Sequence, residues 1–474
     1  MSTASAVHVD AIAEETRLAA FAQAFPRERI PEAAVEVVRH ILLAVAGTAI
    51  AGASEDGCKP LREMLADRGG KPECTVFVYG DRLPATSAAL LNGVMCRALD
   101  FCDAMVPGLH IGSSLVPAAL AAAELNGGCK GSDFVAALTV GAELAARLNR
   151  SEADYDGFDP TGVAGVFAAT AAAARVLGLD EAQMRNALAL AFNRCGGSFQ
   201  SNVDGSLAVR LIQGWVAESG VHCALLARSG LTGPARFLSG VYGYEHLFSR
   251  GRGIVGHADR GLGEEFLLQR AVFKKYPSCG LTQGVTELAL QVAAEADWTS
   301  QRIRRVEVRL PPYAHRLVGH PFAIGENPRV NAQFSAQYCV ASALLRKASK
   351  LRHFRPEEIR DPDVRAVIGR IEVTADPAME GRGHTAVDLA VEAVDGTRYA
   401  RSLDVAPGFP GRPLTGAEHR SRFDECIDYA AIALPPAQAG RLVEAIGALD
   451  ELDDVRLLAK LMVASGAAAP EGAR

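Results

Sequence analysis

Apolar residues recur every three or four positions over most of the first 265 residues, and this period predicts helices. Between residues 31 and 51 the pattern places Val35, Val38, Ile41 and Val45 on one face. Several alanine-rich segments share the period, which favours helices that pack closely together: residues 86–95, 113–125, 132–148, 161–177, 181–192 and 209–229. Residues 75–80 are the exception, since their β-branched and aromatic side chains predict a short strand.

The pattern changes at about residue 270. Residues 303–310 alternate apolar and charged side chains over most of their length, as a half-buried strand does. Residues 386–394 and 397–405 predict two strands joined by the hairpin signal Asp395-Gly396. The remaining predicted elements are a strand at 371–374 and helices at 281–294, 332–345, 417–434, 436–448 and 455–464.

This order of elements predicts a mainly α protein with two domains. A large all-helical domain comprises residues 1–268 and 409–466, so it is discontinuous. A smaller α+β domain, residues 269–408, is inserted before the C-terminal helices. Residues 467–474 predict a disordered tail.

Composition narrows the class of protein without changing this picture. The chain has 474 residues and a net charge of −6, and it lacks a long basic cluster, so nucleic acid is not an expected partner. Charges or glycines interrupt the apolar runs, which argues against a membrane span. The N-terminus lacks the pattern of a signal peptide, and the ten cysteines lack the spacing of metal ligands. We therefore expect a cytoplasmic protein with reduced thiols and no structural metal.

The most informative polar stretch lies between two apolar helices, at residues 97–114. It contains Asp100, Asp103 and His110, and Pro107-Gly108 interrupts regular secondary structure between Asp103 and His110. Carboxylates and imidazole are acid–base groups, and a loop between buried helices can hold them in fixed positions. The alternative is that the aspartates cap a helix end and the histidine packs locally.

Four segments resemble, in their order and spacing, blocks of the MmgE/PrpD family, which includes 2-methylcitrate dehydratase, cis-aconitate decarboxylase and iminodisuccinate epimerase. The segments are residues 98–110, 229–234, 274–279 and 333–345. Each motif alone is weak, but the resemblance extends over about residues 10–460. It implies a helical domain and a smaller α+β domain in a homodimer. It also implies an active site in the cleft between the domains, without a metal or an organic cofactor.

The resemblance implies a cofactor-independent lyase of the 2-methylcitrate dehydratase type. Such an enzyme abstracts a proton next to a carboxylate of a small di- or tricarboxylate. The candidate catalytic residues are Asp100, His110, Asp159 and Lys274. The candidate substrate-binding residues are Arg97, Asp103, Arg210, Tyr276, Cys279 and Gln283.

Each of these residues has a chemical rationale. His110 is the candidate base, and Asp100 is predicted to orient its ring and fix its tautomer. Lys274 and Arg210 are cations that can bind a carboxylate. Asp159 begins a helix, where it can cap the helix or transfer a proton.

The chain departs from the family pattern at several of these positions. Arg97, Asp159 and Gln283 stand where the family has histidine, and Val209 stands where lysine is common. With fewer imidazoles, an epimerase, an isomerase or a decarboxylase acting on a related carboxylate remains an alternative. A non-catalytic relative that binds a carboxylate is another. A substrate less charged than citrate analogues is a third, because Val209 makes one wall apolar.

Overall fold

The structure is a computed structural model that describes residues 3–151, 154–249 and 257–464, with side chains from residue 14 onward. It is mainly helical, with few short strands and a smaller α+β region towards the C-terminus. The predicted fold class is therefore confirmed. The tail predicted to be disordered lies outside the described residues.

The N-terminal part contains most of the helices, in the order expected from the apolar period. They are α1 (Thr3–Ala24), α2 (Glu32–Gly52), α3 (Cys58–Arg68), α4 (Ala85–Arg97), α5 (Gly112–Leu125), α6 (Gly131–Leu148), α7 (Val166–Val176), α8 (Glu181–Phe192), α9 (Gln200–Val203), α10 (Ala208–Arg228) and α11 (Tyr244–Phe248). Three two-residue strands lie among them: β1 (Cys74–Thr75), β2 (Arg82–Leu83) and β3 (Asp103–Ala104).

Glycine allows α4 and α10 to pack closely, backbone against backbone. A Cβ atom at Gly214 would lie 2.5 Å from the Leu90 carbonyl oxygen, and one at Gly93 would lie 2.9 Å from the Gln213 carbonyl oxygen. Both helices contribute side chains to the wall of the cavity described below. Their separation therefore sets the position of cavity side chains.

The C-terminal part combines a sheet with further helices. Its elements are β4 (Val272–Phe273), α12 (Gln283–Ala293), β5 (Ile303–Leu310), α13 (Pro312–Val318), α14 (Pro328–Gln333), α15 (Ala336–Arg346), α16 (Pro356–Ile359), α17 (Pro362–Ile368), β6 (Ile371–Ala375), β7 (Val387–Ala393), β8 (Arg398–Leu403), α18 (Gly416–Tyr429), α19 (Pro436–Gly447) and α20 (Arg456–Leu461). Four strands form a sheet of order β6-β5-β7-β8, in which only the β5–β6 pair is parallel.

The buried apolar side chains form two main cores. The larger contains side chains from α1 to α10 and from α18 to α20. The smaller contains the inward side chains of β5 and β7 together with α12 and α15. The C-terminal helices thus pack on the first core, whereas the exact domain boundaries remain sequence predictions.

Helix α2 is long and apolar enough to cross a membrane, but it lies in the larger core. Val35, Ile41, Val45 and Ile50 are each at most 1% exposed. Its apolar character is accounted for by packing against α4, α5 and α18.

Three local predictions were wrong. Residues 76–80 do not continue a strand, because Val78 has φ +66° and only Cys74–Thr75 pairs with β2. The helix predicted to begin at residue 332 is interrupted at Phe334, and Ser335 caps α15 by accepting from the Tyr338 N–H. The helix predicted to extend to residue 434 ends at Tyr429.

Candidate active site

A short antiparallel ladder brings two distant segments together. Strand β3 pairs with β4, so that Asp103 lies opposite Phe273 and Ala104 opposite Val272. Lys274, the residue after β4, consequently reaches the loop that follows α4. Its Nζ lies 2.7 Å from Asp100 Oδ1 and 3.0 Å from the Asp100 carbonyl oxygen.

Asp100 joins two cations. Its carboxylate pairs with Lys274 and with Arg97, which lies one helical turn earlier at the end of α4. Asp100 has φ +51°, a left-handed conformation that aspartate tolerates better than most residues. All three side chains are at most 5% exposed. Burial alone would raise the pKa of Asp100, but Arg97 and Lys274 outweigh this effect and hold it well below its usual range.

His110 has a defined neutral tautomer. Its Nδ1 lies 2.7 Å from the Asp103 carbonyl oxygen, which can only accept, so Nδ1 carries the proton. Nε2 is therefore the unprotonated nitrogen, and it lies 3.4 Å from Arg97 Nη2. The sequence predicted that the Asp100 carboxylate fixes the tautomer. That prediction was wrong, since the backbone of Asp103 does so.

The surroundings of His110 disfavour its charged form. Burial has the largest effect, and the nearby charges of Arg97 and Lys274 add to it, so the pKa of His110 lies well below its usual value. The negative charge of Asp100 opposes the shift without reversing it. The imidazole is thus neutral near neutral pH, and its Nε2 lone pair accepts a long hydrogen bond from Arg97.

Asp159 begins the helical segment that leads into α7. Its Oδ1 accepts from the N–H groups of Thr161 at 2.8 Å and Gly162 at 3.3 Å, which is a capping interaction. Burial raises the pKa of this carboxyl group, although those N–H donors oppose the effect. Thr161 Oγ1 in turn accepts from the His110 N–H, so the two loops are joined.

These groups line one cavity of about 100 Å³. Of the predicted site residues, the cavity is lined by Arg97, Asp100, His110, Asp159, Lys274 and Cys279. Much of the remaining wall is apolar, with Met105, Val209, Leu281, Phe334 and Phe409. Burial raises the pKa of the Cys279 thiol to about 11, so this group stays protonated.

Two predicted substrate-binding residues near the ladder instead have structural contacts. Asp103 accepts from the N–H groups of Ile111 at 3.1 Å and Gly112 at 3.0 Å, and so fixes the start of α5. Arg210 donates to the Asp56 carbonyl oxygen at 2.6 Å. Neither of these two side chains is part of the cavity wall.

Tyr276 and Gln283 likewise stabilise a loop and are not part of the wall. The Tyr276 hydroxyl donates to Glu287 Oε2 at 2.5 Å. The Gln283 amide accepts from the Tyr276 N–H at 2.9 Å and donates to carbonyl oxygens of Tyr276 and Ser278. Both residues shape the loop that carries Lys274 and Cys279, so their predicted role in substrate binding is revised.

Sequence reasoning missed four polar residues that line the cavity: Asn202, Gln213, Tyr313 and His384. Tyr313 follows β5 and His384 precedes β7. Because these two strands are antiparallel, both residues lie at the same end of the sheet. The pairing of the two strands could have indicated this. The polar loop around Asn202 could be identified from the sequence, but the sequence does not show that Asn202 faces the cavity.

In the described part of the chain, no cluster of three or more His, Cys, Asp or Glu side chains is placed to bind a metal ion. The ten cysteines are all unpaired.

The fold and this cavity define a class of protein. It is mainly α with two cores, and residues from both cores line a cavity that contains candidate acid–base groups. Models of the MmgE/PrpD N-terminal domain and C-terminal domain match residues 16–256 and 276–444. The chain therefore belongs to the MmgE/PrpD family.

Curated relatives agree with this assignment. The chain is 26% identical to cis-aconitate decarboxylase of Homo sapiens over 403 residues, which cover 82% of this chain and 81% of the relative. It is 25% identical to the cis-aconitate decarboxylase-like protein oryM of Aspergillus oryzae over 461 residues, covering 91% and 94%. These relatives are enzymes of the carboxylate-acting lyase type by name, and their identity to this chain indicates a divergent member.

Proposed function

We propose that the chain is a cofactor-independent lyase that removes a proton from the carbon next to a carboxylate, as a dehydratase does. One observation carries this proposal: the unprotonated Nε2 of His110 lies beside two buried cations in the wall of a cavity. Proton removal at such a carbon moves negative charge onto the carboxylate. A nearby base and nearby cations are what this reaction requires.

Arg97 and Lys274 would bind the substrate carboxylate. Asp100 pairs with both of them and keeps them in place before substrate arrives. Because these cations are buried, they stabilise the developing negative charge more strongly than they would in water.

Substrate binding would also strengthen the base. The two cations lower the pKa of His110 in the free protein. A bound carboxylate offsets their positive charge, so the pKa of His110 rises in the complex. Asp159, with its raised pKa, would give a proton to the leaving hydroxyl group.

Decarboxylation is the second candidate, and two observations favour it. One named relative is a cis-aconitate decarboxylase, and the other is named as a cis-aconitate decarboxylase-like protein. The apolar part of the wall also suits the loss of a charged carboxylate as neutral carbon dioxide.

The experiment incubates the protein with carboxylic acids in heavy water and follows proton NMR and carbon dioxide release. A dehydratase forms an unsaturated acid without carbon dioxide, and a decarboxylase releases carbon dioxide. Solvent deuterium that enters a substrate without net loss indicates an epimerase or isomerase.

The variant His110→Asn tests the base. We expect turnover to fall by at least about a hundredfold with the fold intact. The matched control is His222→Asn, because His222 is exposed on α10 and outside the cavity. Full activity of His110→Asn, or equal losses in both variants, would remove His110 from the mechanism.

A further inference from the structure

We propose that the substrate is a 3-hydroxy monocarboxylic acid with an apolar substituent on its third carbon. The inference rests on the proposed function and narrows its substrate class. Three features support it: the net charge of the buried cluster, two buried amides in the cavity, and a second chamber that adjoins the cavity and shares part of its wall.

The charged cluster accommodates one further anion. Arg97 and Lys274 each carry one positive charge and Asp100 carries one negative charge, so the three paired side chains have a net charge of +1. One bound carboxylate brings the cluster to neutrality. A second or third carboxylate would lie against apolar wall such as Val209 and Leu281, and an unpaired buried charge is strongly unfavourable.

Two neutral amides line the same cavity. Gln213 is 2% exposed and Asn202 is 9% exposed. Gln213 Oε1 and Asn202 Oδ1 have no hydrogen-bond partner within the described part of the chain. A buried acceptor without a donor is unfavourable. A ligand hydroxyl group has one hydrogen, so it supplies the missing donor to one of these two oxygens without adding charge. The amides therefore fit a hydroxyl group better than a second carboxylate.

A second chamber of about 290 Å³ shares four wall residues with the cavity. These residues, Phe199, Asn202, Leu317 and Phe334, form the boundary between the two spaces. Beyond them the apolar part of the wall includes Val203, Phe322, Ala323 and Val330. The polar part consists of the exposed Arg316 and His320 together with Asn331 and Ser335. An apolar substituent that extends past Phe334 would fill this chamber and shield its apolar wall from water.

The reaction balances without a co-reactant. His110 Nε2 takes a proton from the second carbon, and the electron pair of that C–H bond forms the double bond between the second and third carbons. The bond from the third carbon to the hydroxyl oxygen breaks. Asp159 gives its proton to the departing oxygen, so the products are water and a 2-enoic acid.

The first test measures binding of saturated acids, which cannot react. Dissociation constants of butanoate, hexanoate, octanoate and propane-1,2,3-tricarboxylate are determined by calorimetry on the full chain. We expect affinity to rise roughly threefold to fourfold per methylene group from butanoate to octanoate. The tricarboxylate should bind more weakly than octanoate. Equal affinity along the series, or tightest binding of the tricarboxylate, would overturn the proposal.

The variant Ala323→Trp tests the chamber. Ala323 is exposed and lines only the second chamber, so the larger side chain fills that space without disturbing a core. We expect octanoate to lose at least tenfold in affinity while butanoate is unchanged. Ala323→Ser is the matched control and should bind both acids normally. Equal losses for both acids in the tryptophan variant would contradict a role for the chamber.

The hydroxyl group is tested in the His110→Asn background, where turnover does not interfere. There we expect 3-hydroxyoctanoate to bind about fivefold more tightly than octanoate. Adding Gln213→Leu, or in a separate protein Asn202→Leu, should reduce this ratio. A ratio of one before these changes, or a ratio that neither change alters, contradicts the proposal.

The outcomes separate this inference from the proposed function. The saturated acids report on substrate class without any reaction. Normal turnover of another acid together with a flat binding series rejects the substrate class alone. The expected binding series with no turnover of 3-hydroxyoctanoate rejects the proposed reaction and its hydroxyl assignment, and leaves the monocarboxylate and chamber assignments standing.

Discussion

At the residue scale, the arrangement of Asp100 between Arg97 and Lys274 governs the chemistry of the cavity. The single carboxylate holds two cations that would otherwise repel each other. Burial and the same cations keep His110 neutral. One buried anion thus fixes where a substrate carboxylate can bind, because it holds the cations that also lower the pKa of the base.

Replacing Asp100 should therefore destabilise the protein. Asp100→Asn leaves Arg97 and Lys274 buried without an anion, and we expect the free energy of unfolding to fall by about 3–5 kcal/mol. Asparagine tolerates the left-handed backbone at this position, so backbone strain does not contribute. Urea titration followed by circular dichroism measures the change.

The double variant Asp100→Asn/Lys274→Met is the control. It removes one cation together with the anion, so it should recover part of the lost stability. A double variant that is less stable than Asp100→Asn alone would show that charge burial is not the cause.

The pH dependence of the reaction follows from the lowered pKa of His110. A base acts in its unprotonated form, and the pKa of His110 in the free protein is lowered. The acid limb of kcat/KM, which reports the free protein, should therefore lie below the usual pKa of histidine. The acid limb of kcat should lie at higher pH, because bound carboxylate raises the pKa of His110. Limbs at the same pH would contradict this coupling.

The sequence predicted the charged and acid–base side chains of the cavity and missed the neutral groups that contact them or line the wall. Asp100, His110 and Lys274 could be identified because motif and residue type coincide. The partner of the His110 ring could not, since it is a backbone carbonyl. Gln213 was also missed, because the sequence of α10 does not show which of its polar side chains faces a cavity. That depends on how the helix packs against its neighbours.

At the element scale, the contact between α4 and α10 connects packing to the cavity. The two helices approach through Gly93 and Gly214. Helix α4 ends at Arg97, and α10 contributes Val209 and Gln213 to the wall. A change in the separation of the helices should therefore displace both sides of the site.

Gly214→Ala tests this connection. The added Cβ would lie 2.5 Å from the Leu90 carbonyl oxygen, so the helices must separate. We expect a loss of about 1–3 kcal/mol in the free energy of unfolding and a raised KM. The control is Gly440→Ala in α19, where nothing lies within 4 Å and helix propensity favours alanine. Equal effects in the two variants would rule out the close contact as the cause.

Elements with a clear period were predictable, and elements shaped by neighbours were not. Most helices and the β7–β8 hairpin appear where the pattern places them. The segment at 76–80 has the composition of a strand, yet Val78 turns the chain so that it meets Val463. Only the tertiary contact with the C-terminal residues explains that turn.

At the scale of the whole molecule, the exposed apolar residues concentrate in one part of the chain. Val203, Leu207, Trp215, Leu231, Val241, Tyr242 and Leu247 are large, apolar and exposed. Such residues are typical of a surface that contacts another protein. We therefore keep the sequence prediction of a homodimer and assign α10 and the segment after it to the interface.

Light scattering of the purified protein tests this assignment. We expect twice the 49.9 kDa mass of one chain. Trp215→Glu should yield monomers with unchanged helix content, because it places a charge in the interface. Met64→Glu is the control, since Met64 is equally exposed but lies outside this part of the chain. A monomeric parent protein, or a dimer that survives Trp215→Glu, would contradict the assignment.

The ladder between β3 and β4 has a consequence for how the protein reaches its working state. Asp103 and Phe273 are 170 positions apart, yet their pairing places Lys274 beside Asp100. Most helices depend on local contacts and form quickly, whereas a contact of this sequence separation requires closure of a long loop. During refolding, the helical signal should therefore return before the ability to bind a carboxylate does.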